Sequence, residues 1–388
     1  MKLTKQTASA YLSQLIGLLG LLALNFLLPV IVGVNDYGVL AFSLAVTYIS
    51  VTIIDEGANL LIARRGIKKS ILLIKVLFSS LLCTTMIILS EVTFEKGIIY
   101  LLQTISYVVY TALIANLTYN LKNEYLPVCG LVFSALLFCL PLLFLFFSIE
   151  IQYAVAGAFL CSAGFAFWIT RLVASAYDPQ ATNKAISPTS AHTHRDILAS
   201  ALSLSIPVGV YGFVMWFGVF LLGSGEDFEG ASILRIALSG VGLLSFLVPI
   251  HRNTLAREFD TAGLQTLKTP VLYSTLIILA FTAFAWQFGA DVLSYLYGQQ
   301  GVAISINMIS LVPLFLLKIL IDILLIASKP DFRAPAIAAQ IVFGTLVASL
   351  ALYLNIITYI LFSYILLLWA SACLAFPLYR EGVKKNAS

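Results

Sequence analysis

The sequence predicts an all-α integral membrane protein, with about 12 transmembrane helices in two six-helix bundles. Three observations predict it. Of 388 residues, 61% are hydrophobic and only 10% are charged, whereas a soluble domain carries roughly a quarter charged residues. The apolar residues form continuous runs of about 20, the length at which a helix crosses a hydrocarbon core of about 30 Å. They do not alternate with polar residues as the strands of a barrel would. The charges are bunched between those runs, and the basic ones fall almost entirely on one side.

Each element follows from an apolar run and its breakers. Met1 to Lys5 carries two lysines, and the apolar run after it reaches Val32. That is too long for the core of a cleavable signal, so it reads as a first span, 11–33. A second span, 38–62, follows the outer turn "GVNDYG" and ends in the basic stretch "LIARRGIKK". Spans at 70–90, 97–117, 126–148 and 151–173 complete a first bundle within residues 1–176. The polar segment "YDPQATNKAISPTSAHTHRD", rich in Pro, Ser and Thr, reads as a cytoplasmic linker over 177–197. Residues 198–388 then hold spans at 198–222, 231–250, 270–290, 301–327, 334–354 and 357–377, and a short tail. Halves of six helices enter the membrane in the same direction, so any relation between them is a parallel repeat.

Orientation follows from the basic residues. With a cytoplasmic N-terminus, the inner side holds 19 of the 22 Lys and Arg, including Lys75 at the start of the third span. Only Lys96 lies in an outer loop, and Arg235 and Lys318 fall inside spans. This bias places both termini in the cytoplasm. It also makes the net charge of +4 a mark of insertion and of contact with anionic lipid headgroups, not of nucleic-acid binding.

A charged side chain at membrane depth costs at least about 2.5 kcal/mol on insertion scales, so each one is a functional candidate unless it snorkels to an interface. Asp55 and Glu56, in the inner half of the second span, are coupling or gating candidates. Adjacent helical residues point about 100° apart, so the two cannot share a partner, and Asp55 shares its face with Asn59. Arg235 lies about one turn inside span 8, near the acidic loop "GSGEDFEG", where snorkelling competes with a binding role. Lys318 lies near the middle of span 10 with Asp322 four residues later, a spacing that serves either a structural pair or a substrate or coupling site. The first bundle offers no mid-membrane cation. Among neutral polar residues, Asn25, Gln103 and Tyr107, with Tyr110 and Asn116, either bond helix to helix or line a wet cavity.

Absent patterns narrow the chemistry. There is no Gly-x-x-x-x-Gly-Lys phosphate loop and no Ser-His-Asp arrangement. Cys83, Cys129, Cys139, Cys161 and Cys373 lie within spans without metal-ligand spacing, and His192, His194 and His251 lie in inner loops. No catalytic residue, metal or cofactor is predicted, and any transport draws on an ion gradient, the membrane potential or the substrate's own gradient.

Residues 28–65, "LPVIVGVNDYGVLAFSLAVTYISVTIIDEGANLLIARR", resemble the opening of the Wzx-type polysaccharide flippases, in the superfamily that also holds multidrug and oligosaccharidyl-lipid exporters. The shared features are Tyr37-Gly38 after the first helix, Glu56-Gly57 in the second and Arg64-Arg65 at its inner end. "RDILASALSLSIPVGVYGFV" (195–214), "LVPIHRNTLAREFDTAGLQTL" (247–267) and "GADVLSYLYGQQ" (289–300) are similar to later segments of that family. The resemblance implies two bundles around a central cavity that opens alternately to either side of a bacterial inner membrane. It implies that a polyprenyl-pyrophosphate-linked O-antigen, capsule or exopolysaccharide unit moves from the cytoplasmic to the periplasmic leaflet. Membrane lipids, a polysaccharide polymerase and chain-length proteins are the implied partners. Arg235 and Lys318 are the cations suited to the pyrophosphate. A cation-coupled drug antiporter of the same superfamily shares the fold. A glycan polymerase or ligase fits poorly, because such enzymes need long outer loops and every outer loop here is short.

Overall fold

The computed structural model describes residues 16, 19–20, 22–65, 69–119, 123–175, 216–244 and 265–327. Spans 11 and 12, the linker with its two histidines, His251 and most of span 7 lie outside the described residues. Among those described, every regular element is helical.

The first helix, α1, is Ala23–Val32, with a π-turn over Ala23–Leu27. Gly33 follows with φ +91°, a backbone that a side chain would strain, and α2 runs Val34–Arg65 with Asp36 in its first turn. That acid complements the partial positive charge of the helix N-terminus. Gly38 lies inside α2, not in the outer turn where the sequence pattern suggests it. A Cβ there would collide with the main-chain carbonyl of Phe228, so glycine serves close packing at this position.

Helices α3 (Lys69–Leu89) and α4 (Phe94–Tyr119) form an antiparallel pair around a tight turn at Glu91. A prolyl residue near the start of α5 (Leu126–Phe146) suits the first turn, where no N–H partner is needed. Helix α6 (Ile151–Ser175) packs on both α4 and α5. Residues 216–224 form α7, and α8 (Phe228–Gly242) starts at Asp227, whose carboxylate accepts the Gly230 N–H at 2.8 Å. Helices α9 (Gln265–Tyr297) and α10 (Gln300–Ala327) make a hairpin, and α10 also packs against α8.

Six described helices are long and apolar enough to cross a membrane: Val34–Thr52, Lys69–Leu89, Phe94–Leu117, Leu126–Phe146, Ile151–Val173 and Val271–Tyr297. The chain is a multi-pass membrane protein. Its surface fits, since Leu73, Leu77, Leu81 and Ile88 form an exposed apolar ridge along α3. On the opposite face, Ile71, Lys75, Ser79, Cys83 and Met86 are buried at intervals of three or four.

The chain divides into two compact units. One comprises Met1–Leu28 and Ser43–Ser205, and the other Pro29–Phe42 and Ile206–Ser388. Residues 29–42, which the sequence pattern groups with the first bundle, belong with the second unit.

Candidate functional site

Among the described residues, the strongest concentration of buried charge is a nest in the first unit. Helix α2 supplies Asp55 and Asn59 one turn apart, α3 supplies Lys75, and α4 supplies Thr111 with the Val108 carbonyl. Lys75 Nζ lies 2.6 Å from Asp55 Oδ1 and donates to Asn59 Oδ1 at 2.7 Å, Thr111 Oγ1 at 2.6 Å and Val108 O at 3.3 Å. The lysine side chain is 0% exposed and that of Asp55 is 14% exposed.

The acid is held independently of the lysine. Asn59 Nδ2 donates to Asp55 Oδ2 at 2.7 Å, and Thr111 Oγ1 donates to Asp55 Oδ1 at 3.0 Å. Each carboxylate oxygen therefore keeps a neutral donor besides the ammonium. Burying a charge is tolerable only when it is paired and its remaining valences are filled, and both conditions are met here. Ile54, Ala58, Ile62, Ile71, Ala112 and Ala115 form a buried apolar cluster drawn from the same three helices. The small alanines let α2, α3 and α4 approach closely enough for short side chains to meet.

The sequence leads one to expect no mid-membrane cation in the first bundle, and Lys75, nearer one end of α3, is a buried cation that this expectation does not single out. It lies six residues into α3, about 9 Å along the axis. Its place in the α3 stripe, four residues from both Ile71 and Ser79, is the sequence signal for burial. The neighbouring basic cluster masks that signal. One turn beyond it, Ser79 Oγ is buried without a hydrogen-bond partner among the described residues.

The other candidate residues fall in different settings. Gln103 is fully buried and bonds α4 to α2: Ser43 Oγ donates to Gln103 Oε1 at 2.9 Å, and Gln103 Nε2 donates to Ser43 O at 3.1 Å and Thr47 Oγ1 at 2.8 Å. Tyr107 sits in an aromatic group, with its ring 5.1 Å from both Tyr48 and Phe159 and 6.2 Å from Phe133. Asn25 is 0% exposed within the π-turn of α1. In the second unit, Arg235 is 7% exposed, with its guanidinium carbon 3.6 Å from the Trp216 ring centroid. It also hydrogen-bonds the buried Tyr37 phenol. Lys318 and Asp322 lie on α10, but their side chains, like that of Glu56, are outside the described residues.

No family model matches the sequence, and no curated protein matches it. Solved structures do. One, described as the inward-facing conformation of a multidrug resistance MATE family transporter of the MOP superfamily, aligns over 97% of this chain and 96% of its own, with TM-score 0.53 and 16% identity. The outward-facing conformation of such a transporter aligns over 99% and 97%, with TM-score 0.53 and 15% identity. The chain has a MATE-like fold. A further structure, MATE in complex with MaL6, aligns over 95% and 96% at TM-score 0.50 and 15% identity. Identities this low transfer the MATE-like architecture and leave the cargo to be argued from chemistry.

Among the described residues no group of His, Cys, Asp or Glu is placed to hold a metal ion. What the nest can do chemically is hold a monovalent positive charge inside the first unit.

Proposed function

We propose that this chain is an alternating-access transporter that flips a polyprenyl-pyrophosphate-linked oligosaccharide from the cytoplasmic to the outer leaflet of a bacterial inner membrane. The observation that carries the transport reading is the alignment, over nearly the whole chain, with a transporter structure described as inward-facing and with one described as outward-facing. The substrate class rests on the resemblance of residues 28–65, 195–214, 247–267 and 289–300 to Wzx-type flippases.

The substrate's parts ask for different surroundings. A pyrophosphate needs Lys or Arg, a glycan needs a polar cavity, and a polyprenyl tail stays in lipid. Lys318 on α10 is the cation assigned to the pyrophosphate. Arg235, enclosed by Trp216 and Tyr37, acts mainly by holding the second unit together. Asp55, bound to Lys75, Asn59 and Thr111, stabilises the first unit in the state described and releases those partners when the helices move.

A second reading, a cation-coupled drug antiporter, is favoured by the descriptions of two matched structures as multidrug resistance transporters. Reconstitution separates the two. Proteoliposomes carrying the protein are expected to move a lipid-linked oligosaccharide to the opposite leaflet, measured by access of a glycan-cleaving enzyme. They are expected not to expel a cationic dye under a Na+ or proton gradient. Dye transport without glycan transport would replace the flippase reading by the antiporter one.

A further inference from the structure

The surroundings of Lys75 are richer than an ion pair requires. A buried ammonium needs a counter-charge and acceptors for three N–H groups. This one has a carboxylate oxygen, an amide oxygen, a hydroxyl oxygen and a main-chain carbonyl, at 2.6, 2.7, 2.6 and 3.3 Å. Those four are the hard oxygen donors that bind cations such as Na+ or Ca2+, drawn from side chain and backbone alike. Among the described residues this shell holds one carboxylate with neutral oxygens, which matches a single positive charge, whereas a divalent ion would leave an excess charge inside the membrane.

Two further features set the shell apart from an ordinary lysine contact. All four oxygens come from α2 and α4, and none from α3, which carries the lysine. The shell is also braced without the lysine: Asn59 and Thr111 each donate to Asp55, and Thr111 Oγ1 lies within hydrogen-bond distance of Val108 O, at 3.2 Å. The partial exposure of Asp55 leaves the carboxylate side accessible to a small ion.

We infer that the oxygen shell formed by Asp55, Asn59, Val108 O and Thr111 is a monovalent-cation site, occupied in this protein by the tethered ammonium of Lys75. The lysine thus replaces a diffusible ion. The native protein draws no external Na+ at this place, and removing the lysine head converts the place into a Na+ or alkylammonium site. The inference does not depend on the identity of the cargo, and its test requires no transport.

The test compares thermal unfolding of detergent-solubilised native protein, Lys75→Ala, Lys75→Met and Asp55→Asn/Lys75→Ala in choline chloride, NaCl, KCl and methylammonium chloride at equal ionic strength. Lys75→Ala is expected to be destabilised in choline and to gain several degrees, saturably, from Na+ or methylammonium, as binding to the folded state requires. Native protein is expected to show no such preference. Lys75→Met fills the vacancy with an apolar chain, and the double variant lacks the carboxylate, so neither should respond. Where Lys75→Ala does not survive extraction, Lys75→Ser heated in intact membranes makes the same comparison. Equal melting of the lysine-deleted protein in all four salts would overturn the inference. So would a cation response of the same size in native protein or in the Asp55→Asn double variant.

Discussion

Lys75 in the first unit and Arg235 in the second are both buried basic residues on apolar helices, yet they are accommodated by opposite means. The Lys75 ammonium sits among oxygens with a carboxylate at 2.6 Å. The Arg235 guanidinium carbon lies over the Trp216 ring, 3.6 Å from its centroid, and the group hydrogen-bonds a phenol. The difference follows from the groups themselves. An ammonium is a compact, strongly hydrated point charge, and leaving water requires an oxygen shell and a counter-ion. A guanidinium is planar and weakly hydrated, so an aromatic face replaces much of its water. A buried cation in this protein is therefore not by itself a substrate site.

The contrast is broken most severely at Asp55. Asp55→Asn leaves the Lys75 ammonium without its counter-charge and is expected to cost about 3–5 kcal/mol, measured by chemical or thermal unfolding in detergent. Next comes Arg235→Lys, which keeps the charge and loses the planar face. An expected loss of about 2 kcal/mol, with quenching changes in Trp216 fluorescence, checks it. Gln103→Leu removes the donor to Thr47 and the acceptor for Ser43, two buried hydroxyls, and should cost about 1–3 kcal/mol in the same assay. The smallest effect is expected at the exposed pair of Lys96 and Glu150, 3.9 Å apart with side chains 45% and 61% exposed. Removing either should change stability by less than about 1 kcal/mol.

Much of the helical frame was legible in the sequence. Helices α3, α4, α5 and α6 lie where continuous apolar runs and charged breakers put them, because lipid leaves the backbone no alternative to the helix. The termini were less legible: α2 begins at Val34 and carries Gly38 inside it, since its packing on Phe228 is set by a residue far along the chain. The site was half legible. Asp55 and Asn59 share a face by simple periodicity, but Lys75 and Thr111 are 20 and 56 positions from Asp55, and helix pairing brings them together. Lys75 also follows four basic residues, Arg64, Arg65, Lys68 and Lys69, and a count of sidedness assigns it to the same group. Arg235 stood out in its run, but the acidic loop beside it pointed to snorkelling, while Trp216 and Tyr37 enclose it instead.

The most direct test of the Lys75 nest is a double-mutant cycle between Asp55→Asn and Lys75→Met, read as unfolding free energy in detergent. A shared, desolvated pair predicts that the double variant recovers most of what the worse single variant loses, with a coupling of about 2 kcal/mol or more. Additivity of the two single losses to within about 0.5 kcal/mol would contradict it.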